Sequence, residues 1–168
     1  MHTRLIGEYN FPNALAAVTI GHFFGVEAEK IDKALNEYEP RNNRSQLKKT
    51  ADNTLIIDAY NANPTSMLAA IGNFRNMQAE KKMLILGDMR ELGKDSAEEH
   101  QRIVDYLEEY GFEDVILVGE LFAATRHTYT TYPDAPALIA ALQKTNPAES
   151  NPDKRLERNK LNTVVDYL

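Results

Sequence analysis

Three short apolar runs, each followed by polar residues, constrain the fold of this 168-residue chain more than any other feature. They cover residues 54–57, 83–86 and 115–118. Continuous apolar runs of this length are typical of strands buried on both faces of a parallel sheet. Helical stripes follow the first two runs and consist of Met67, Ile71, Phe74 and Met77, and of Ile103, Val104, Leu107 and Tyr110. This alternation predicts an α/β fold, an open and mostly parallel sheet flanked by helices.

The segment before the first run has a different pattern. Residues 13–38 predict two short helices, separated at Gly25 and ended by Pro40. The polar residues 41–44 then mark a candidate domain boundary, so we expect a helical segment over residues 1–42 and the α/β domain over residues 43–168. Within the second part, residues 120–127 and 134–144 predict two further helices, and a last helix is expected from about residue 160 to 168.

Composition excludes several classes of protein. The 19 basic and 25 acidic residues give a net charge of −6, which argues against binding to nucleic acid or to an anionic membrane surface. No apolar run approaches the roughly 18 residues that a membrane span needs. The chain has no cysteine, so disulfides, thiolate metal sites and cysteine nucleophiles are excluded. Its four histidines show no metal-binding spacing, and no metal site is expected.

Polar side chains follow the first apolar run, where ligands bind in an open α/β sheet. Asp58 can accept hydrogen bonds from a ribose, and Asn61 and Asn63 can pair with a base edge or a carboxylate. Asn63-Pro64 also predicts a helix start, whose free N–H groups attract anions. The alternative is that Asn63 only caps the helix and that Asp58 and Asn61 are ordinary turn residues.

The second run ends in another polar segment, Gly87 to Gly93, which contains Asp88 and Glu91. These carboxylates face either a ligand or only solvent. His100 lies on the apolar side of the next helix, where a lone histidine is more often a packed core residue than a ligand. Neither glycine-rich phosphate-binding motif occurs in the chain, so other groups must hold the phosphates of any bound ATP.

Several segments together resemble the Mur ligases. Residues 7–17 resemble the end of the central ATPase domain of that family. Arg44-Ser45-Gln46, Asp58-Ala59-Tyr60-Asn61-Ala62-Asn63-Pro64 and Gly87-Asp88-Met89-Arg90-Glu91-Leu92-Gly93, with His100 downstream, look like its Rossmann-like C-terminal domain. The last two segments are specific to the branch that joins D-alanyl-D-alanine to UDP-N-acetylmuramoyl-tripeptide. The similarity covers residues 3–145 and returns at the chain end.

The resemblance implies a role in making the cytoplasmic peptidoglycan precursor of bacteria. In this family ATP, with magnesium, phosphorylates the carboxylate of the UDP-linked tripeptide, and the amine of D-alanyl-D-alanine attacks the acyl phosphate. The P-loop and the magnesium ions belong to a central domain of which this chain has only the end. We therefore expect the chain to be a C-terminal fragment that is inactive alone, holds no catalytic residue and binds no cofactor tightly.

Site residues follow from the same resemblance, position by position. On the nucleotide side it implies Asn10, Asn13, Arg44, Asp58, Tyr60, Asn61 and Asn63. On the dipeptide side it implies Asp88, Met89, Glu91, Leu92 and His100. Ile57 departs from the family pattern, in which a second aspartate is common, and this leaves the ribose role of Asp58 intact.

A second departure lies near the end of the chain. Where the family has a strand of the form Ile-Leu-Ile-Lys-Gly-Ser, residues 149–160 are densely charged and cannot form a central strand. One permitted codon string for residues 151–160, read from its second base, encodes that motif, which suggests a local frame displacement. The alternative is true divergence, and the sequence as written then predicts an irregular loop over residues 148–159 and a sheet without that strand.

Two other functions stay open at this point. The chain can belong to another ATP-dependent amide ligase of the superfamily, although the Tyr-Asn-Ala-Asn and Glu-Leu-Gly motifs argue against it. It can also be a non-catalytic module that uses the same edge of the sheet to bind a nucleotide or a partner.

Overall fold

The fold is a six-stranded mixed sheet with helices on both faces, as a computed structural model shows for residues 3, 5–7, 10–40, 45–50, 53–59, 61–79, 81–145 and 163–167. Side chains are not described for residues 144–145 and 163–167. The strands are β1 (Gln46–Lys49), β2 (Thr54–Ile57), β3 (Lys82–Gly87), β4 (Val115–Val118), β5 (Thr130–Tyr132) and β6 (Thr163–Tyr167). The helices are α1 (Phe11–Phe23), α2 (Ala28–Glu37), α3 (Pro64–Asn76), α4 (Ser96–Glu109), α5 (Glu120–Ala123) and α6 (Ala135–Thr145).

The spatial order of the strands is β1-β2-β6-β3-β4-β5. Only β1 runs antiparallel to its neighbour, and the other five strands are parallel. The α/β fold is therefore confirmed, and β2, β3 and β4 coincide with the three apolar runs. Because parallel strands end at the same edge, the segments that follow β2, β3 and β4 share one rim of the sheet.

Two apolar clusters cover the two faces of the sheet. Side chains alternate between faces along a strand, so Leu84 and Leu86 pack on one side and Ile85 on the other. The larger cluster joins the first side to Met67, Ile71 and Phe74 of α3 and to Ile103, Val104 and Leu107 of α4. The smaller cluster packs Ile85 and Val118 against Leu138 of α6. Residues 82–87 are thus held from both sides, which fixes the position of the rim beyond them.

The expected last helix is wrong, because residues 163–167 form β6. This strand lies between β2 and β3 and pairs with both in parallel. Thr163, Val164 and Val165 are β-branched and favour extended backbone, and the slot would otherwise leave two unpaired strand edges. The sheet therefore has a strand in this slot. The predicted irregular loop lies in residues 146–162, outside the described part of the chain.

The two expected N-terminal helices are confirmed as α1 and α2. They cross closely, since a Cβ added at Gly21 would lie 3.0 Å from Cδ1 of Ile31. Much of the apolar surface of α1 is nevertheless exposed, including Phe11, Leu15, Ile20 and Phe23. The division into a helical segment and an α/β domain at residue 42 stays a prediction. None of the helices described here is long and apolar enough to cross a membrane.

Candidate functional site at the carboxyl edge of the sheet

The loop that follows β3, residues 88–92, is called here the post-β3 loop. Its first side chain, Asp88, reaches across the rim to the start of α5. Oδ2 of Asp88 accepts a hydrogen bond from the Leu121 amide at 3.0 Å, and Oδ1 accepts one from the Phe122 amide at 2.9 Å. The Asp88 amide also donates to the Val118 carbonyl at 3.0 Å. Asp88 therefore joins the ends of β3 and β4 to α5.

Gly119 makes this contact possible. Its backbone φ of 121° lies in a region that side chains rarely adopt, and a Cβ at this position would overlap the Asp88 carboxyl group. The Gly119 amide donates to the Tyr132 carbonyl at 2.9 Å, which ties the same turn to the end of β5. A glycine is thus needed here for both backbone conformation and space.

His100 of α4 forms a hydrogen bond to the backbone of the post-β3 loop. Its Nε2 accepts a hydrogen bond from the Met89 amide at 3.0 Å. Its Nδ1 lies 2.6 Å from the Ser96 carbonyl oxygen, which can only accept, so Nδ1 carries the proton. These two bonds assign a neutral imidazole with its hydrogen on Nδ1. The distance of 3.9 Å from Nε2 to Oδ1 of Asp88 is too long for a hydrogen bond.

The predicted dipeptide-side residues differ in exposure. Met89 and His100 are fully buried, and the His100 ring packs edge-on against Phe122 at 4.7 Å between centroids. Leu92 is half-buried against the larger cluster. Glu91 is exposed and has a left-handed φ of 66°. The predicted set therefore contains buried residues that shape the loop and one exposed residue at its tip.

The residues that follow β2, 58–63, form a second loop on the same rim, called here the post-β2 loop. Asp58 is half-buried and accepts a hydrogen bond from Oγ of Ser45 at 3.3 Å. Asn63 caps α3: its Oδ1 accepts from the Ser66 amide at 3.0 Å, and Oγ of Ser66 accepts from the Asn63 amide at 3.3 Å. Asn61 is exposed. The capping alternative for Asn63 is thus realised, while Tyr60 and Arg44 lie outside the described residues.

The two remaining nucleotide-side residues, Asn10 and Asn13, lie at the start of α1. Asn10 donates from its side chain to the Ile6 carbonyl at 2.7 Å, and Asn13 donates to Oδ1 of Asn10 at 3.2 Å. Asn10 lines a groove of about 1050 Å³ together with residues of α1 and with Asn73 of α3. Asp58, Asn61 and Asn63 lie close together because they belong to one loop, and the assignment of Asn10 and Asn13 to the same nucleotide stays a prediction.

Sequence reasoning did not assign Gly119, Arg90 or the amides of Leu121 and Phe122 to the site. The sequence does show Gly119 directly after the apolar run 115–118, and a glycine at such a position indicates that another group can approach the backbone closely. Arg90 is exposed beside Glu91. Among residues with described side chains, no group of three or more histidines or carboxylates is arranged to hold a metal ion.

The protein family described as "Mur ligase, glutamate ligase domain" matches residues 43–152, which include both rim loops. The UDP-N-acetylmuramoyl-tripeptide--D-alanyl-D-alanine ligase of Bacillus subtilis is 45% identical over 91 residues, or 53% of this chain and 20% of the relative. The enzyme of the same name from Treponema pallidum is 39% identical over 99 residues, or 59% of this chain and 21% of the relative. The matches thus span about a fifth of these two relatives.

Solved structures give the same result for the fold. A crystal structure of MurF from Acinetobacter baumannii aligns with a TM-score of 0.69 and 30% identity, over 97% of this chain and 35% of that protein. MurF ligase from Thermotoga maritima, in complex with ADP, aligns with a TM-score of 0.72 over 96% of this chain and 35% of that protein, and at 19% identity it supports the fold alone. The matched domain covers more than half of the chain, which therefore belongs to the Mur ligase family through its glutamate ligase domain.

Proposed function

We propose that this chain is the C-terminal portion of a ligase that adds D-alanyl-D-alanine to UDP-N-acetylmuramoyl-tripeptide in an ATP-dependent reaction. The observation that carries the proposal is the order of two motifs on the fold. The Tyr-Asn-Ala-Asn segment follows β2 in the chain and the Gly-Asp-Met-x-Glu-Leu-Gly segment begins at the end of β3, and these two parallel strands are separated by β6 alone. The relatives from Bacillus subtilis and Treponema pallidum have the name of this ligase.

The rim residues suit one side of a nucleotide site. Asp58 provides a carboxylate that can accept hydrogen bonds from a ribose, and the exposed Asn61 amide can pair with a base edge. Phosphates need cationic or backbone N–H groups, and the chain has no P-loop to provide them. We therefore place the phosphates and magnesium on the part of the ligase that lies outside the matched region, as the ATP-binding domain of a Mur ligase requires.

Asn10 and Asn13, at the start of α1, are proposed as further contacts of the same nucleotide. The chain contains no P-loop to transfer phosphate, and we expect it to be inactive alone in a reaction that takes place in the bacterial cytoplasm.

A composite ligase tests the proposal. The matching portion of the Bacillus subtilis enzyme is replaced by this chain, and phosphate release is measured with ATP, the UDP-linked tripeptide and D-alanyl-D-alanine. We expect release that depends on D-alanyl-D-alanine, and no release from the isolated chain. Sequencing the coding locus upstream of Met1 then shows whether the gene itself encodes a P-loop.

The controls separate this function from the other two. Release that depends on glutamate or L-alanine instead would indicate a different amide ligase. A composite protein that folds with an unchanged melting temperature but releases no phosphate would support a non-catalytic module. A variant with Asp134→Asn, which alters a helix cap at the edge of the sheet, shows how much activity an unrelated rim change removes.

A further inference from the structure

The post-β3 loop contains exposed side chains at its tip and, at its base, an Asp88 side chain that is hydrogen-bonded within the protein. We infer that Asp88 and His100 are positioning residues, and that Arg90 and Glu91 are the side chains of this loop that contact the incoming substrate. The assignment rests on the proposed function, because the substrate is taken to be the dipeptide that the relatives' name specifies.

The carboxylate of Asp88 already makes hydrogen bonds within the protein. Each of its carboxylate oxygens accepts one backbone N–H of α5, and its side chain is only 18% exposed. Gly119 lies directly against the carboxyl group and leaves no room between the two. A ligand that took this carboxylate would leave the Leu121 and Phe122 amides without their acceptor, which makes a ligand contact costly.

The ring nitrogens of His100 likewise already have hydrogen-bond partners within the protein. Its side chain has no exposed surface, and both ring nitrogens have backbone partners, at Met89 and Ser96. The ring also packs against Phe122 in a T-shaped arrangement, which closes off that side. No ligand can reach it without opening the larger apolar cluster. The contact that His100 makes with the Met89 amide instead fixes the backbone next to Arg90.

The tip of the loop has the opposite character. Arg90 and Glu91 are exposed and adjacent, and left-handed backbone at Glu91 and Gly93, with φ of 66° and 58°, restricts how they are presented. A dipeptide has a carboxylate at one end and an amine at the other. A guanidinium binds a carboxylate through paired hydrogen bonds, and a carboxylate accepts hydrogen bonds from an amine. The tip therefore provides one complementary group for each end.

Hydrogen exchange on the full chain tests the positioning role without any ligand. The variants are Asp88→Asn and His100→Ala, and the controls are Asp134→Asn, at the cap of α6, and His127→Ala, whose Nδ1 accepts from the Tyr129 amide at 3.0 Å. We expect amide exchange in residues 89–92 to become at least about tenfold faster in the first two variants, because each variant loses one charged or buried hydrogen bond. In the two controls we expect exchange in these residues to stay unchanged.

A conservative variant guards against general unfolding. His100→Gln keeps an oxygen acceptor within reach of the Met89 amide, so it should restore slow exchange in the loop while His100→Ala does not. Exchange in β3 and β4 reports the stability of the whole domain and should change equally in both variants. Unchanged exchange over residues 89–92 after loss of either side chain would overturn the positioning role.

Kinetics of the composite ligase test the contact role. Arg90→Ala should raise KM for D-alanyl-D-alanine by about tenfold, the effect of one lost charge-assisted hydrogen bond, with KM for ATP unchanged. Asp88→Asn should raise the same KM by less and should add nothing in the double variant, because it acts through Arg90. Additive effects would mean that Asp88 contacts the substrate directly. A composite ligase without activity refutes the proposed function, and the exchange data then decide the positioning role alone.

Discussion

The two rim loops are stabilised in different ways. In the post-β2 loop the Asn63 cap involves Ser66, three residues away, and Asp58 bonds to Ser45, thirteen residues away. In the post-β3 loop Asp88 bonds to amides 33 and 34 residues away, and the Met89 amide bonds to a side chain 11 residues away. The Asn63 cap of the first loop is thus local to its helix start, whereas Asp88 and Met89 of the second loop bond to two other elements.

This difference predicts different responses to change. A substitution at Asn63 should alter the start of α3 and little else, because its cap hydrogen bonds reach only Ser66. A substitution at Asp88 should affect β3, β4 and α5 together, since this residue connects them, through its carboxylate to α5 and through its backbone amide to Val118 at the end of β4. The post-β3 loop can therefore hold its tip in one conformation, which suits the selection of a small substrate.

The largest expected effect is that of Gly119→Ala. The new methyl group would overlap the Asp88 carboxyl group and would also hold alanine at a φ of 121°. Overpacking and unfavourable backbone together should lower the free energy of unfolding by about 3 kcal/mol or more. Urea denaturation followed by circular dichroism measures the change.

Gly111 provides the matched control for this substitution. It also has a positive φ, of 68°, but a Cβ there would have no heavy atom within 4 Å. Gly111→Ala should therefore cost only the backbone term, about 1 kcal/mol. Equal losses for the two variants would show that contact with Asp88 has no energetic importance.

The sequence predicted what depends on neighbouring residues. The apolar runs 54–57, 83–86 and 115–118 became β2, β3 and β4, and Asn63-Pro64 became a helix start, because both features follow from local patterns. The hydrogen bonds of Asp88 and the tautomer of His100 depend on elements brought together only by folding. No local pattern indicates which carboxylate will meet α5, so the loop was predicted but its contacts were not.

The end of the chain is a second place where prediction from the sequence failed. Residues 163–167 were expected to be helical, but in the structure they form the strand between β2 and β3. The pairing of two strand edges and the β-branched residues 163–165 both favour a strand here, and the pairing depends on elements that are distant in sequence. The frame displacement over residues 151–160 stays a prediction, and sequencing codons 145–162 decides it. A corrected sequence with the Lys-Gly-Ser motif would provide a different candidate for this slot.

An intermediate effect is expected for Asn63→Ala in the post-β2 loop. The variant removes the acceptor for the Ser66 amide and should cost about 1 kcal/mol of unfolding free energy, which is typical of a lost helix cap. Hydrogen exchange should become faster in the first turn of α3 and stay unchanged in residues 88–92. Faster exchange in both loops would contradict the independence of the post-β2 loop.

The smallest effect at neutral pH is expected at the opposite edge of the sheet, where Tyr129 donates its hydroxyl to the Phe112 carbonyl at 3.0 Å. Burial, with a further contribution from the Glu108 carboxylate, raises the pKa of Tyr129 above its ordinary value of 10.0. The unfolded chain therefore loses this proton first as the pH rises, and the folded state loses stability above about pH 10. Tyr129→Phe should cost at most about 1 kcal/mol near pH 8, and the difference should shrink above pH 10. Urea denaturation of both proteins from pH 8 to pH 11 measures this change. Glu108→Gln should lower the pKa of Tyr129 in the folded state, so the loss of stability should be smaller and should end at lower pH, while its onset stays at the pKa of the unfolded chain. A stability difference between the two proteins that stays constant over this range would exclude the shifted tyrosine as its cause.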